Sequence, residues 1–167
     1  MRELSFPGRS NVLGQNGMVA TSNPLSSMEA INILQKGGNA VDAAIGASAV
    51  QSVVCPSATG LGGDCFAIVS INGKDPIAVN GSGIAPKRAN LDYFIDNKIS
   101  NIELTSPHSV TIPGSVHAWC SMHKKYGKMD LEEILKGAEN YARNGFPVHE
   151  VEALAWKDNE VKLRGNI

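Results

Sequence analysis

The chain has 167 residues, of which 43% are hydrophobic and 19% charged, so it can bury one hydrophobic core and is not a disordered polymer. Its 15 Lys and Arg residues nearly balance 16 Asp and Glu residues, and no segment carries a basic run, which argues against nucleic acid or an anionic membrane as a partner. The three cysteines form no CxxC pair and the four histidines are scattered, so we predict no metal site and no cofactor.

The sequence also bears on compartment and domain organisation. Residues 1–8 contain no apolar core of a secretory signal, and the most apolar stretch, residues 40–54, is too short and too polar to span a bilayer. An odd cysteine count favours a reducing compartment. We therefore expect a cytoplasmic protein, or a periplasmic one if a signal has been removed. We expect residues 1–167 to form a single partial domain in which residues 1–16 and 157–167 are peripheral.

The first predicted elements are a short strand and a helix. Residues 17–22 are typical of a strand that ends at Asn23–Pro24. Pro24 is suited to the start of a helix, and Ser26 with Glu29 three residues later predicts a capping box. This helix is expected to stop at Gly37–Gly38.

A second helix is unusually rich in small residues. Asn39 is the predicted N-cap, Asp42 returns the hydrogen bond from the third position, and Pro56 closes the helix. Because small side chains let other elements approach closely, we predict that this helix is buried. The small residues are Ala40, Ala43, Ala44, Gly46, Ala47 and Ala49.

A hairpin and more helices are predicted for the rest of the chain. Cys65 to Ile71 and Ile77 to Asn80 are β-rich runs, and Asn72–Gly73 between them is typical of a tight turn. Helical patterns follow at Leu91–Asn97, at Ser115–Tyr126, in a segment capped by Asp130 that ends at Gly145, and in an amphipathic stretch Val148–Trp156 followed by a polar tail. Strands and helices do not alternate as in a doubly wound sheet, so the predicted class is α+β.

The glycine-rich segment 57–66 is the richest local motif. It is not a dinucleotide loop, because Cys65 stands where the third glycine is required and the segment leads into a strand instead of a helix. Either it is a tight connection in which side chains do not fit, or its backbone belongs to a site. Asp64 can accordingly either anchor a substrate amine or staple the loop. We predict that Gly60, Gly62, Gly63 and Asp64 form a structural loop near the site.

No catalytic group emerges from the residues alone. Ser82 lies between Gly81 and Gly83 after the hairpin, without a base in an adjacent motif and without the strand-to-helix elbow of a serine nucleophile. No catalytic triad or pair of carboxylates is visible either. The sequence therefore predicts no catalytic residue within this chain.

Several motifs in series resemble the large-subunit region of γ-glutamyltranspeptidases. They are GGNAVDAA at 37–44, TGLGGDCF at 59–66, SVTIPGSV at 109–116 and ARNGFPV at 142–148, and the likeness runs from Gly17 to Val148. The resemblance implies the N-terminal part of an N-terminal-nucleophile hydrolase, a four-layer αββα sandwich made as a precursor that cuts itself in two. It further implies a threonine nucleophile outside this chain, with the small-subunit portion of the same precursor and a small-molecule amide substrate as partners. The alternative is a stand-alone, non-catalytic binding or scaffold remnant of the family.

One family motif is altered in this sequence. The family's F-R-E-x-A-P pattern, aligned through Ala85–Pro86, places Ser82 at the arginine and Gly83 at the glutamate. A serine hydroxyl cannot replace a bidentate carboxylate clamp. The resemblance therefore implies a branch closer to oxamate amidohydrolases than to glutathione-cleaving members, with Ser82 and Asn80 as the substrate-binding residues.

Overall fold

The structure, a computed structural model, describes residues 11–165. Helices and strands are mixed in this part of the chain, which confirms the α+β class. None of its helices is long and apolar enough to cross a membrane. In chain order the elements are α1 (Pro24–Gln35), α2 (Ala40–Val54), β1 (Phe66–Val69), β2 (Ile77–Asn80), α3 (Leu91–Asp96), a 3-10 turn (Pro107–Ser109), α4 (Ser115–Tyr126), α5 (Leu131–Asn144) and α6 (Glu150–Arg164).

Helix α2 is the centre of the core, since α1, α4 and α5 all pack against it. The closest approach is at Gly46, where a Cβ would lie 2.1 Å from Cδ1 of Ile33 in α1 and 3.2 Å from the carbonyl oxygen of Ile134 in α5. Ile33, Ile134 and Val50 are almost completely buried around this point. The prediction of a slim, buried helix is confirmed, because its small residues admit neighbours on several sides.

The N-terminus of α2 has the predicted capping box. The Asn39 side chain accepts hydrogen bonds from the N–H groups of Val41 (2.9 Å) and Asp42 (3.1 Å), and the Asp42 carboxylate accepts one from the Asn39 N–H at 2.9 Å. Asp42 is fully buried, and it also accepts hydrogen bonds from the N–H groups of Lys128 (3.0 Å) and Met129 (3.3 Å). One carboxylate thus joins the start of α2 to the α4–α5 connection.

The capping box predicted for α1 is wrong. The helix begins at Pro24, so the N-cap is Asn23, whose side chain accepts a hydrogen bond from the Leu25 N–H at 2.9 Å. Ser26 therefore lies inside the first turn, where it is buried, and its pairing with Glu29 does not form. Pro24 occupies the first position of the helix, so the residue before it, and not Ser26, is the N-cap.

Glycines end two of the helices as predicted. Gly37 and Gly145 follow α1 and α5 with φ of 93° and 83°, a left-handed conformation that glycine adopts without strain. The Gly38 N–H donates to the Ile33 carbonyl at 3.0 Å, which completes the α1 terminus. At the start of α5, in contrast, Asp130 makes no side-chain capping hydrogen bond.

The predicted hairpin is present, with shorter strands and a longer connection. β1 and β2 are antiparallel and pair from Phe66↔Asn80 to Val69↔Ile77. A turn at Asn72–Gly73 is closed by a hydrogen bond from the Lys74 N–H to the Ile71 carbonyl at 2.9 Å. Residues 70–76 are not paired in the ladder, so the turn does not join the strands directly.

The two faces of the hairpin have opposite environments. Ala67, Val69 and Val79 pack against the helical core. On the opposite face, Phe66 is 64% and Ile68 79% exposed. A two-stranded sheet with one open apolar face is typical of part of a larger sheet assembly.

Two predictions at the ends of the chain need correction. Residues 17–22 do not form a strand: the β1–β2 hairpin is the only sheet in residues 11–165, and these residues are not paired with it. The polar tail after Trp156 is helical as far as Arg164, where an ion pair with Glu160 at 2.8 Å supports the last turn. The peripheral position assigned to residues 1–16 and 157–167 remains a prediction, and residues 1–10 and 166–167 lie outside the described residues.

Candidate functional site

The two predicted substrate-binding residues, Asn80 and Ser82, lie together at the end of β2. The Asn80 side-chain oxygen accepts a hydrogen bond from the Ser82 N–H at 2.9 Å, which holds the turn. The Ser82 hydroxyl lies 3.5 Å from the Gly83 carbonyl oxygen, a weak contact that leaves it free to turn to a ligand. Both side chains are exposed. Their role in binding substrate remains a prediction.

The glycines on either side of Ser82 are required by packing. A Cβ on Gly83 would lie 1.8 Å from the Ile112 carbonyl oxygen, and a Cβ on Gly81 would lie 2.4 Å from the Ala118 Cβ. Gly114, just before α4, is equally close to the Gly81 carbonyl oxygen, at 2.2 Å. Ser82 therefore stands on a backbone held against the start of α4, and the position that aligns with the family's glutamate has no room for a side chain.

The glycine-rich loop runs between α2 and β1 and is anchored at its C-terminal end by α4. The N–H groups of Gly114 and Ser115 both donate to the Gly63 carbonyl, at 3.0 and 3.1 Å. These are N–H groups at the helix N-terminus that have no partner within the helix. The loop and the Ser82 turn are thus fixed to the same helix terminus.

The N-terminal end of the loop is held by a residue that the sequence did not reveal. Glu152 of α6 is only 4% exposed, and its carboxylate accepts hydrogen bonds from the Ser57 N–H (3.1 Å), the Ser57 hydroxyl (2.8 Å) and the Trp156 indole N–H (3.1 Å). These donors satisfy a charge that would be costly to bury alone. A glutamate in an amphipathic helix carries no sequence signal of burial, so only the tertiary contact identifies it.

No contact within residues 11–165 explains why glycine occupies the middle positions of the loop. A Cβ on Gly60 or Gly62 would meet no atom within 4 Å, and neither residue has a positive φ. A Cβ on Gly63 would meet only the Gly60 carbonyl oxygen, at 3.7 Å. The interpretation of the loop as a close-packed connection is therefore wrong for these positions. Its backbone is open to a group from elsewhere.

Asp64 and Cys65 end the loop at the edge of a cavity. Asp64 is exposed, and its carboxylate makes no hydrogen bond to the described part of the chain, which does not favour a stapling role. Burial raises the pKa of the Cys65 thiol and the Asp64 charge adds to this, whereas a hydrogen bond with Trp119 acts in the opposite direction. A thiol with a raised pKa is protonated at neutral pH and is a poor nucleophile.

Three adjacent cavities of about 630, 820 and 630 Å³ lie beside α2 and share lining residues, and together they are called the α2 groove. Ser48 lines all three. The floor of this α2 groove is Ala40, Ala44 and Ser48, one wall is residues 16–21, and the other wall is residues 64–71. Larger side chains of α4, among them Trp119, Met122 and Tyr126, also line the second cavity. No group of three or more His, Cys, Asp or Glu within residues 11–165 is arranged to hold a metal ion.

Comparison with known proteins gives a consistent result over nearly the whole chain. The family model described as Gamma-glutamyltranspeptidase matches residues 26–166. A glutathione hydrolase-like YwrD proenzyme of Bacillus subtilis is 41% identical over 83% of this chain and 26% of its own length. An Escherichia coli glutathione hydrolase proenzyme is 34% identical and a Klebsiella pneumoniae oxamate amidohydrolase proenzyme 31% identical, each over 93% of this chain and 30% of its own length.

Solved structures show the same fold. The γ-glutamyltranspeptidase of Helicobacter pylori superposes with a TM-score of 0.82 at 28% identity, over 91% of this chain and 44% of that chain. The cephalosporin acylase of Bacillus halodurans gives a TM-score of 0.88 at 36% identity, over 99% of this chain and 31% of that one. The described elements are thus the N-terminal-nucleophile hydrolase fold in part, since this chain spans 26–30% of the length of the three curated relatives.

Proposed function

The chain belongs to the γ-glutamyltranspeptidase family, and from this we propose that it is the large-subunit portion of a self-processing amidohydrolase or acyltransferase. The observation that carries the proposal is the family match over residues 26–166. Three curated relatives named above are proenzymes, which supports a precursor that is cut into two subunits. The partner is the small-subunit portion of the same precursor.

The proposed reaction uses a nucleophile from outside these 167 residues. A threonine at the N-terminus of the small subunit attacks the carbonyl carbon of a small amide, and its own α-amine takes the hydroxyl proton. Backbone N–H groups stabilise the oxyanion, and collapse of the tetrahedral intermediate expels the amine and leaves an acyl ester on the threonine. Water or an acceptor amine then attacks the ester and releases the acyl group. This chain contributes the scaffold and substrate contacts.

The substrate that we propose is a small amide other than glutathione. The position aligned with the family's arginine is Ser82, and its neighbour across the turn is Asn80. Both are neutral groups, so they cannot make the bidentate ion pair by which an arginine holds the α-carboxylate of a γ-glutamyl group. The likeness to an oxamate amidohydrolase proenzyme supports an oxamate-type substrate instead. A cytoplasmic location remains part of the proposal.

The first test is the intact mass of the protein made from its full-length gene. We expect two chains from one precursor, the second beginning with threonine, and hydrolysis of oxamate-type amides in preference to γ-glutamyl amides. A single uncut species without amidase activity would contradict the proposal and favour the non-catalytic remnant.

Ser82 provides a test of the substrate contact. We expect Ser82→Ala to lower kcat/KM by about 5-fold, because one hydrogen bond to substrate contributes about 1 kcal/mol. Stability should not change, since the hydroxyl is exposed. Ser121→Ala, at an exposed serine of α4, is the matched control. Equal kcat/KM values for the two variants would remove Ser82 from the site.

A further inference from the structure

Asp64 lies opposite Ser82 at the end of the β1–β2 hairpin that is remote from its turn. Cys65 and Gly81 exchange two backbone hydrogen bonds there, at 3.2 and 2.8 Å. One residue further in the register of the two strands, the chain reaches Asp64 on one side and Ser82 on the other. Residues opposite one another in an antiparallel pair have Cβ atoms about 5 Å apart. One small chemical group can therefore contact both side chains.

Both side chains lie on the face of the hairpin that is turned away from the helical core. Successive side chains of a strand alternate between its two faces. Cys65 packs against the core and Gly81 is buried, so Asp64 and Ser82, which follow them, are on the opposite face, and both are exposed. Asn80 is exposed on the same face, and its side chain accepts a hydrogen bond from the Ser82 N–H at 2.9 Å. A carboxylate, a hydroxyl and a carboxamide thus share one small surface.

The glycine-rich loop does not need the Asp64 carboxylate for its own conformation. Its first residue, Ser57, is held by the buried carboxylate of Glu152, and the Gly63 carbonyl accepts two hydrogen bonds from the start of α4. No hydrogen bond or ion pair joins the Asp64 carboxylate to another residue in the range 11–165. Its oxygen atoms are therefore available to a ligand, directly beside the position that aligns with the family's arginine.

The charge of this surface is opposite to that of the family's arginine. An arginine presents N–H donors that match a carboxylate. Asp64 and Ser82 instead present carboxylate and hydroxyl oxygens, and no Lys or Arg of residues 11–165 forms an ion pair with Asp64. A substrate carboxylate placed here would face a like charge, whereas an N–H group would donate a charge-assisted hydrogen bond.

We propose that Asp64 is a specificity-determining residue, which together with Ser82 binds an N–H donor on the acyl part of the substrate and excludes a carboxylate from that position. The donor is a primary amide or a protonated amine. This inference rests on the proposed function. Within the oxamate-type amides it selects oxamide, which has an NH₂ group where oxamate has a carboxylate oxygen.

Three small primary amides test the preference on the processed full-length protein. They differ in the group next to the reacting amide, which is an amide in oxamide, a protonated amine in glycinamide and a carboxylate in oxamate. We expect kcat/KM for the better of oxamide and glycinamide to exceed that for oxamate by about 10-fold or more, because hydrogen bonds to a charged acceptor are strong. The better of the two identifies the donor as an amide or an amine. A kcat/KM for oxamate that equals or exceeds both would overturn the proposal.

Asp64→Asn removes the charge and keeps the size of the side chain. We expect it to reduce the preference over oxamate by about 10-fold, through a lower kcat/KM for the donor amide and a higher one for oxamate. Asp75→Asn, at an exposed position in the connection between β1 and β2, is the matched control and should change the preference by less than about 2-fold. An unchanged preference in Asp64→Asn would overturn the proposal. So would an equal loss on all three amides, because it would show that Asp64 supports the fold and not the specificity.

Equilibrium binding separates this proposal from the proposed function. Calorimetric titration of the same three amides into the full-length protein and its Asp64→Asn variant measures the preference whether or not the amides are hydrolysed. Preferential binding of a donor amide that depends on Asp64, without hydrolysis, would support the role of Asp64 and contradict the enzyme. Hydrolysis with the same preference in both proteins would do the reverse. An inactive protein that binds no donor amide better than oxamate would contradict both.

Discussion

Individual side chains hold the candidate site together through buried polar contacts. Glu152 connects α6 to Ser57 at the start of the glycine-rich loop, and its carboxylate is matched by three donors. A buried carboxylate of this kind contributes geometry more than net stability, since its hydrogen bonds replace those that it made to water. Removing the acceptors, however, leaves buried donors without partners.

Glu152→Ala should therefore lower the free energy of unfolding of the full-length protein by about 2 kcal/mol, because it leaves the Ser57 and Trp156 donors without an acceptor. Urea denaturation followed by circular dichroism measures the change. Glu150→Ala, at an exposed residue of the same helix, should shift it by less than about 0.5 kcal/mol. A loss at Glu152 no larger than at Glu150 would show that the contact does not hold the loop.

The Cys65 thiol makes a pH-dependent contribution to folding stability. Its pKa in the folded state is raised, mainly by burial, so the thiol keeps its proton to a higher pH than in the unfolded chain. This contribution to stability is complete below the unfolded pKa and is lost as the pH rises through the folded pKa.

We therefore expect alkylation of Cys65 by iodoacetamide to rise at a higher pH than alkylation of a free cysteine, since the thiolate is the nucleophile. Site-resolved mass spectrometry across the pH range measures this. An alkylation profile that matches free cysteine would show that the thiol is not buried in solution.

At the scale of elements, helix termini decide how the helical core is assembled. The Asp42 carboxylate caps α2 and also accepts hydrogen bonds from Lys128 and Met129, so it sets the position of α5 relative to α2. The capping box could be predicted, because it depends on residues three apart in the chain. The contacts with residues 128–129 could not, since they join segments distant in sequence.

Asp42→Asn should destabilise the full-length protein by about 3 kcal/mol, because an amide nitrogen would face buried N–H donors. The urea midpoint measures this, with Asp158→Asn at an exposed position of α6 as the control. Similar midpoints for the two variants would mean that Asp42 is not the link between α2 and α5.

At the scale of the whole molecule, several surfaces next to the candidate site are not covered by any other described part of the chain. The open face of the hairpin, the α2 groove and the exposed glycines of the loop lie next to one another, and each lacks a neighbour within residues 11–165. The proposed precursor is one explanation common to all three. It would account for the glycines at positions 60 and 62, which nothing within residues 11–165 requires.

Two glycine substitutions should therefore behave differently. Gly83→Ala should destabilise the full-length protein by about 2–3 kcal/mol, because its Cβ would overlap the Ile112 carbonyl oxygen. Gly60→Ala should change the free energy of unfolding by less than about 0.5 kcal/mol if no other segment contacts the loop. If another segment does contact the loop, the substitution should slow self-processing or amide hydrolysis. Urea denaturation and product formation separate the effects. A Gly60→Ala variant unchanged in stability, processing and activity would show that the loop backbone is not approached.

The sequence by itself determined most of the local structure of this protein. The capping box of α2, the Asn72–Gly73 turn, the glycine stops of α1 and α5 and the family all follow from residues close together in the chain, where spacing and backbone preference decide the outcome. Only the tertiary structure decided that Glu152 is buried, that residues 17–22 lack a strand partner and that Gly60 and Gly62 face open space. The physical reason is that burial and β pairing depend on neighbours distant in sequence.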